Sequence, residues 1–266
     1  MSIISNKFSE LKKRKKKALI VFLTAGDPSL KKNAELVDAF EKDGVDFVEL
    51  GVPFSDPLAD GPVIQASSFR SLRRGTSLKK ILTLAQKIRR RSRMPILLMT
   101  YLNPIYHYGL ARFADRAKAS GVAGLVIPDL PPEEGSEISS IFRKRGLDLV
   151  YLMAPTSTPE RVRAIAQSSR GFIYYVSLTG VTGARFDSSR AVHPNIRLAK
   201  SRSRLPVCVG FGISTPRQAQ AISRVADGVI VGSAVVRALA DHPSLGAAEF
   251  SRRFVRPFAK ALGKVR

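Results

Sequence analysis

The sequence predicts a single (β/α)8 TIM barrel of the α/β class, with residues 1–266 forming one domain. Short apolar runs recur eight times, and each is followed by a stretch of helical periodicity. Strands buried on both faces and alternating with helices indicate a parallel sheet. Eight such units in about 250 residues favour a closed barrel. The alternative is an open, doubly wound sheet, but no Gly-x-Gly-x-x-Gly follows the first run.

The predicted strands are short and mostly β-branched. In chain order they are Leu19–Leu23, Phe47–Leu50, Ile96–Met99, Gly124–Ile127, Leu149–Met153, Phe172–Val176, Val207–Val209 and Gly228–Val231. The predicted helices between them carry apolar residues at i, i+3 and i+4. They include Ser29–Lys42, Leu78–Arg91, Leu110–Ser120, Glu133–Arg145, Glu160–Ser168 and Pro216–Arg224. Extra helices are predicted at both ends, over Asn6–Lys16 and Leu245–Leu262.

Three of these helices are preceded by a start signal. Asp27-Pro28-Ser29, Thr158-Pro159-Glu160 and Ser214-Thr215-Pro216 each combine a capping side chain with a nearby proline. Proline suits the first helical position because its missing N–H has no partner there in any case.

The chain is strongly basic, with 44 Lys and Arg against 21 acidic residues and a formal net charge of +23. Such a surplus raises the hypothesis of a nucleic-acid or membrane partner. The basic residues are spread over the predicted outer helices, without interleaved aromatic residues for base stacking. We therefore expect a solvated basic surface and no nucleic-acid partner, with attraction of anionic, phosphorylated substrates as the alternative role of the charge.

Cysteine and histidine usage indicates neither disulfides nor zinc. The single cysteine, Cys208, lies in an apolar run and is expected in the core. His107, His193 and His242 lack ligand spacing.

A basic stretch followed by the apolar run Ala18–Ala25 resembles a signal peptide, but the run is short and is needed as the first strand. No window reaches the ~20 apolar residues of a membrane span. We expect a cytoplasmic protein with no membrane partner.

Glu49 is the clearest candidate for a catalytic group. It lies within the apolar run Phe47–Leu50, where an unpaired carboxylate is costly. The loop that follows is stiffened by glycine and proline and carries Asp56 and Asp60. Carboxylates at a strand end and on the next loop are a common acid–base arrangement in α/β enzymes. The alternative is a structural Glu49, bonded to backbone amides, beside two turn-forming aspartates.

The other strand ends exclude two kinds of catalysis. No lysine lies among them, which argues against a Schiff-base aldolase. The strand ends also lack a cluster of His, Asp and Glu that could bind a metal ion, which argues against metal-assisted cleavage. Glycine-rich turns follow the last three predicted strands, at residues 180–183, 212 and 232. Free N–H groups at such turns and at a helix N-terminus bind phosphate, and this fold places its phosphate site there.

The segment from Val48 to Gly61, together with Thr24–Pro28 and Gly232–Ala234, resembles the tryptophan synthase alpha chain family. The resemblance covers nearly the whole chain. It implies cleavage of indole-3-glycerol phosphate to indole and glyceraldehyde 3-phosphate, in tryptophan biosynthesis. It also implies an α2β2 heterotetramer with a β chain, which receives the indole. The alpha chain is expected to need no cofactor, and pyridoxal phosphate is expected only in the β partner.

The resemblance also implies roles for individual residues. Glu49 is expected to be the acid–base group and Asp60 the carboxylate that binds the indole N–H. The walls of the substrate pocket are expected to include Phe22, Tyr101, Tyr174, Thr182 and Phe211. The phosphate cradle is expected at Gly183, Gly212, Gly232 and Ser233. The positions expected to face the β chain are Pro53, Asp56 and Asn103.

Three alternatives stay open at this point. A stand-alone lyase would use the same motifs and release free indole. An inactive barrel kept only to activate a β partner would not need Glu49 and Asp60. A nucleic-acid-binding module would need a motif that this chain lacks. An indole-release assay with and without a β chain separates the first two.

Overall fold

The computed structural model of the chain describes residues 1–176, 193–210 and 212–265. Its strands are β1 (Ala18–Thr24), β2 (Phe47–Gly51), β3 (Ile96–Met99), β4 (Val122–Val126), β5 (Asp148–Val150), β6 (Leu152–Met153), β7 (Ile173–Val176), β8 (Val207–Gly210) and β9 (Gly228–Val231). All neighbouring strands are parallel, in the order β5-β4-β3-β2-β1-β9-β8-β7-β6. The two outermost strands are consecutive in the chain, so the sheet returns on itself as a barrel. The predicted fold class is confirmed.

The fifth predicted strand is divided at Tyr151. Asp148–Val150 pair with β4, whereas Leu152–Met153 pair with β7. One apolar run thus serves two neighbours and closes the barrel, which explains why the sequence predicts one strand where the structure has two.

The helices of the described residues surround this barrel. They are α1 (Ile3–Lys13), α2 (Leu30–Lys42), α3 (Pro62–Arg73), α4 (Leu78–Arg89), α5 (Leu102–Tyr108), α6 (Leu110–Ala119), α7 (Ser136–Lys144), α8 (Pro159–Ser168), α9 (His193–Arg202), α10 (Pro216–Ser223), α11 (Ser233–Asp241), α12 (Ala247–Phe250) and α13 (Arg256–Ala261). The six helices predicted between strands are present with shifted ends. The largest shift is at α7, which is predicted from Glu133 and begins at Ser136.

The three predicted start signals cap helices in the structure. The hydroxyls of Ser29 and Thr158 accept hydrogen bonds from the N–H groups of Lys32 and Arg161. Thr215 forms a capping box with Gln218 at the start of α10.

The C-terminal helix differs from the continuous Leu245–Leu262 of the prediction. A π-helical turn over Ser251–Val255 separates α12 from α13. Pro257 follows this turn, and proline cannot donate the N–H that an α-helix needs at that point. The helix is therefore interrupted where the proline removes one bond of its ladder.

The first helix closes the N-terminal end of the barrel. Ile4, Phe8 and Leu11 are buried in α1 and pack with the side chains that fill the barrel interior. The ring of Phe8 stacks on that of Phe47 with centroids 5.0 Å apart. Cys208 is fully buried in the same cluster, so its predicted core position is confirmed. Since this end is plugged, the site must open at the C-terminal ends of the strands.

One member of the basic C-terminal segment is not solvated. The Lys264 side chain is 6 % exposed, and its Nζ lies 2.6 Å from Asp46 Oδ2. The same carboxylate oxygen accepts the N–H of Leu19 at 2.8 Å. This pair ties the chain after α13 to the first two strands of the barrel.

Candidate active site

Glu49 lies at the centre of the candidate site, inside the barrel. It pairs in register with Phe22 on β1 and Leu97 on β3, and it is fully buried. Neither carboxyl oxygen has a hydrogen-bond partner among the described residues. Burial, and then the negative charge of Asp60, raises the pKa of Glu49 to about 8. Among the described residues, no backbone amide therefore satisfies this carboxyl group, contrary to the structural alternative, and Glu49 is mostly protonated at neutral pH.

Asp60 lies on the loop after β2 and faces the same interior. Burial raises its pKa to about 6, and a hydrogen bond from the Tyr101 hydroxyl acts in the opposite direction. Asp60 is therefore mostly ionised at neutral pH. The two carboxyl groups differ in charge state because Glu49 is the more deeply buried.

Tyr101 holds the loop that carries Asp60. Its hydroxyl accepts the N–H of Ala59 at 2.9 Å and donates to the Asp60 carboxylate. Its ring lies 5.2 Å from that of Phe54, centroid to centroid. Residues from both ends of the loop after β2 thus contact the side chain of Tyr101, which follows β3.

A pocket opens beside these groups, between the ends of the first strands and α3. Its walls include Phe22, Asp60 and Tyr101, together with Ile64 and Ser68 of α3. The structure thus brings together four predicted residues: Glu49, Asp60, Phe22 and Tyr101.

Gly51 is required by the position of Phe22. A Cβ on Gly51 would lie 2.3 Å from Cζ of the Phe22 ring, closer than any side chain allows. A Cβ on Gly232 would also contact Phe22, at 3.4 Å from its Cβ. The Phe22 side chain therefore lies close to both glycines, with its ring tip at Gly51 and its base near Gly232.

Tyr174, on β7, completes the interior beside Glu49. Its side chain is buried, and burial and the charge of Glu49 raise its pKa well above its ordinary value. A Cβ on Gly210 would lie 2.6 Å from the Tyr174 hydroxyl oxygen, so the glycine makes room for the ring.

Two of the predicted phosphate-binding turns are described. Gly212 has φ +75°, a conformation that favours glycine. Gly232 caps α11, whose first residue is the exposed Ser233, and no side chain caps that helix. The first N–H groups of a helix lack intrahelical partners, so they point outward at this end. The predicted residues Thr182, Gly183 and Phe211 lie outside the described residues.

The predicted partner-facing residues differ in exposure. Asp56 and Asn103 are exposed, whereas Pro53 is buried. Leu58, between Asp56 and Asp60, is 86 % exposed. Tyr106 on α5 is also exposed. Exposure of a single large side chain has no local signal in the sequence, so Leu58 and Tyr106 are not among the predicted residues.

Gln65 is a further residue at the candidate site that was not predicted from the sequence. Its Nε2 donates to the carbonyl oxygen of Asp60 at 2.8 Å. Its position in the first turn of α3 is the signal that could have found it, since such a side chain reaches back to the preceding loop. Elsewhere in the described ranges, no three His, Cys, Asp or Glu side chains are grouped as metal ligands would be. No helix there is long and apolar enough to cross a membrane.

Comparisons with known proteins agree with this geometry. The family model described as tryptophan synthase alpha chain matches residues 8–260. The tryptophan synthase alpha chain of Geotalea daltonii is 52 % identical over 237 residues, covering 89 % of this chain and 90 % of the relative.

Solved structures give the same result. A crystal structure of tryptophan synthase subunit alpha from Legionella pneumophila superposes with a TM-score of 0.91 at 35 % identity, covering 100 % of both chains. A chain from the tryptophan synthase α2β2 complex of Pyrococcus furiosus superposes with a TM-score of 0.85 at 39 % identity, covering 92 % of this chain and 99 % of that one. The chain therefore belongs to the tryptophan synthase alpha chain family.

Proposed function

We propose that this chain cleaves indole-3-glycerol phosphate into indole and glyceraldehyde 3-phosphate, as the α subunit of tryptophan synthase. The observation that carries the proposal is the pair of carboxyl groups in unlike charge states. The pKa of Glu49 is raised to about 8 and that of Asp60 to about 6, and both groups lie inside the same barrel. Between these values, one group can donate a proton while the other binds a developing positive charge.

The first step protonates the indole ring. Glu49 donates its proton to C3 of the ring, and the ring nitrogen becomes cationic. Asp60, ionised, accepts the N–H of that nitrogen and stabilises the charge. The protonated ring is the electron sink for the next step, so this chain needs no cofactor of its own.

The second step breaks the carbon–carbon bond. Glu49, now a carboxylate, removes the proton from the hydroxyl on the carbon attached to C3. That carbon becomes the aldehyde of glyceraldehyde 3-phosphate, and the electrons of the broken bond restore the neutral indole ring. Glu49 ends protonated, as it began, so the two steps close a cycle.

The remaining site residues bind the substrate. Phe22, Tyr101 and Tyr174 surround the ring, and the proposed wall also includes Thr182 and Phe211. The phosphate is proposed to bind at the glycine-rich turns that follow the last strands. Its proposed ligands are the backbone of Gly183, Gly212 and Gly232 and the first turn of α11 at Ser233.

The protein works with a partner in this proposal. A β chain docks on the face that carries Asp56 and Asn103, in an α2β2 heterotetramer, and receives indole directly. Pyridoxal phosphate belongs to that partner. The enzyme is cytoplasmic, as expected for this biosynthetic pathway.

An indole-release assay on the purified chain tests the proposal. Wild type should form indole from indole-3-glycerol phosphate, slowly alone and faster with a β chain. Glu49→Gln should lose about 10²–10⁴-fold in turnover. Equal rates with and without the β chain would instead support a stand-alone lyase, and no indole in either case would contradict the activity.

A further inference from the structure

Asp27 lies in the loop between β1 and α2, where its main chain is fixed against α2. The N–H of Gly26 donates to Asn33 Oδ1 at 2.6 Å, and Asn33 Nδ2 donates to the carbonyl oxygen of Asp27 at 3.0 Å. Asn33 is fully buried. The Asp27 side chain therefore projects from a rigid base.

The Asp27 carboxylate is bound by two side chains of α3, Ser67 and Arg70, and by Arg74, which directly follows the helix. Its Oδ2 accepts hydrogen bonds from Ser67 Oγ and Arg70 Nη2, both at 2.6 Å. Its Oδ1 accepts from Arg70 Nε at 3.2 Å and from Arg74 Nη1 at 3.0 Å. The carboxylate is only 7 % exposed, and a two-pronged arginine bond fixes direction as well as distance. The orientation of α3 is thus set by the loop after β1.

The other end of α3 carries the candidate site. This helix begins at Pro62, directly after Asp60 and Gly61. Gln65 Nε2, in the first turn, holds the Asp60 carbonyl oxygen at 2.8 Å. Ile64 also lines the pocket beside Asp60. A rotation or shift of α3 would therefore move Asp60 relative to the indole ring.

We propose that Asp27 is a positioning residue, which acts through Arg70 and α3 to place Asp60 at the substrate. This inference rests on the proposed function, in which Asp60 stabilises charge on the indole nitrogen. That charge is larger in the transition state than in the bound substrate. Loss of the Asp27–Arg70 contact should consequently lower kcat more than it raises KM.

The test compares Asp27→Asn and Arg70→Gln with Arg73→Gln. Arg73 is exposed on the same helix and makes no contact with Asp27, so its variant controls for the loss of an arginine from α3. A displacement of about 1 Å costs on the order of 100-fold in rate, so we expect kcat to fall about 10- to 100-fold in the first two variants. The control should match wild type. The acid limb of the pH–rate profile should also shift in the first two variants, because the contact of Asp60 with Tyr101 changes.

A second measurement does not depend on the reaction. Amide hydrogen exchange over residues 53–65 should be faster in Asp27→Asn and Arg70→Gln than in Arg73→Gln. If Asp27→Asn does not fold, Arg70→Lys replaces it, since it keeps the charge but loses the two-pronged bond.

The outcomes are distinct. Unchanged kcat, pH profile and exchange relative to Arg73→Gln would overturn the positioning role. A lower melting temperature with unchanged kcat and pH profile would overturn it too, because it would show a purely structural bond. If wild type releases no indole, the proposed function fails, while the exchange experiment still decides whether Asp27 orders the Asp60 loop.

Discussion

The hydroxyl of Tyr101 donates a hydrogen bond to Asp60, and the same oxygen accepts the N–H of Ala59 at 2.9 Å. One phenol therefore sets both the position of the loop and the acidity of its carboxylate. The bond favours the ionised form of Asp60, against burial, which favours the neutral form. The acid side of the activity profile thus depends on Tyr101.

Tyr101→Phe should shift the activity profile to higher pH on its acid side. Without the hydroxyl, the pKa of Asp60 rises above its present value of about 6, so a higher pH is needed to ionise it. The measurement is kcat as a function of pH between pH 5 and 9. Tyr106→Phe is the matched control, because Tyr106 is exposed on α5. An unchanged acid limb in Tyr101→Phe would show that Asp60 ionisation does not limit the reaction there.

Glu49→Gln should lower turnover about 10²–10⁴-fold and stabilise the fold at alkaline pH. The folded-state pKa of Glu49 is raised from 4.5 to about 8. The folded state therefore binds this proton more tightly than the unfolded state. Its contribution to stability is full below pH 4.5 and is lost as the pH rises to about 8. Glutamine does not ionise, so the variant should be more stable than wild type above pH 8 by a few kcal/mol, at about 1.4 kcal/mol per pKa unit.

Urea unfolding of both proteins at pH 5 and pH 9 measures this difference. Glu41→Gln, an exposed carboxylate on α2, is the control and should follow wild type at both values. If the difference between Glu49→Gln and wild type is the same at pH 5 and pH 9, Glu49 does not carry the raised pKa.

Gly232→Val should weaken phosphate binding with little effect on folding. Its Cβ would lie 3.4 Å from the Phe22 Cβ, and its branches would crowd the first turn of α11. We expect binding of glycerol phosphate to weaken at least about tenfold, or about 1.4 kcal/mol, by isothermal titration. Gly246→Val is the control, since Gly246 also precedes a helix but has open space around it. Equal affinities in the two variants would place the phosphate elsewhere.

The strands and the loop after β2 could be predicted because their signals are local. Apolar runs between glycines and prolines mark the strands, and Glu49 is conspicuous as a charge within such a run. Helix α3 was not predicted from the sequence because the face that packs against the β1–α2 loop is polar. Ser67, Arg70 and Ser71 lie on that side, so the helix lacks the apolar periodicity that marks a helix in a sequence.

The contacts that tune the site could not be predicted in the same way. The bond from Ala59 to Tyr101 spans 42 positions. No spacing rule relates such residues. The raised pKa of Glu49 depends on its complete burial in the folded chain. The apolar residues next to it in the sequence indicate burial but do not show that it is complete.

Leu58→Ser should weaken binding of the β chain and leave the basal rate of the free α chain unchanged. Leu58 is 86 % exposed on the loop between Asp56 and Asp60, and it is not among the groups that shift the pKa of Glu49 or Asp60. A large apolar side chain exposed on such a loop gains free energy when a partner covers it. Docking at Leu58 would also restrain the loop, and so favour the placement of Asp60 that the reaction needs.

Titrating a β chain against the α chain while following indole release measures both effects. Leu58→Ser should need more β chain for half-maximal activation, and Leu58→Met, which keeps an apolar surface, should stay close to wild type. Asp56→Ala, on the same exposed side of the loop, should also reduce activation without lowering the basal rate. If Leu58→Ser is activated at the same β-chain concentration as Leu58→Met, the β chain docks elsewhere. A fall in the basal rate of Leu58→Ser would instead mean that Leu58 acts on Asp60 without a partner.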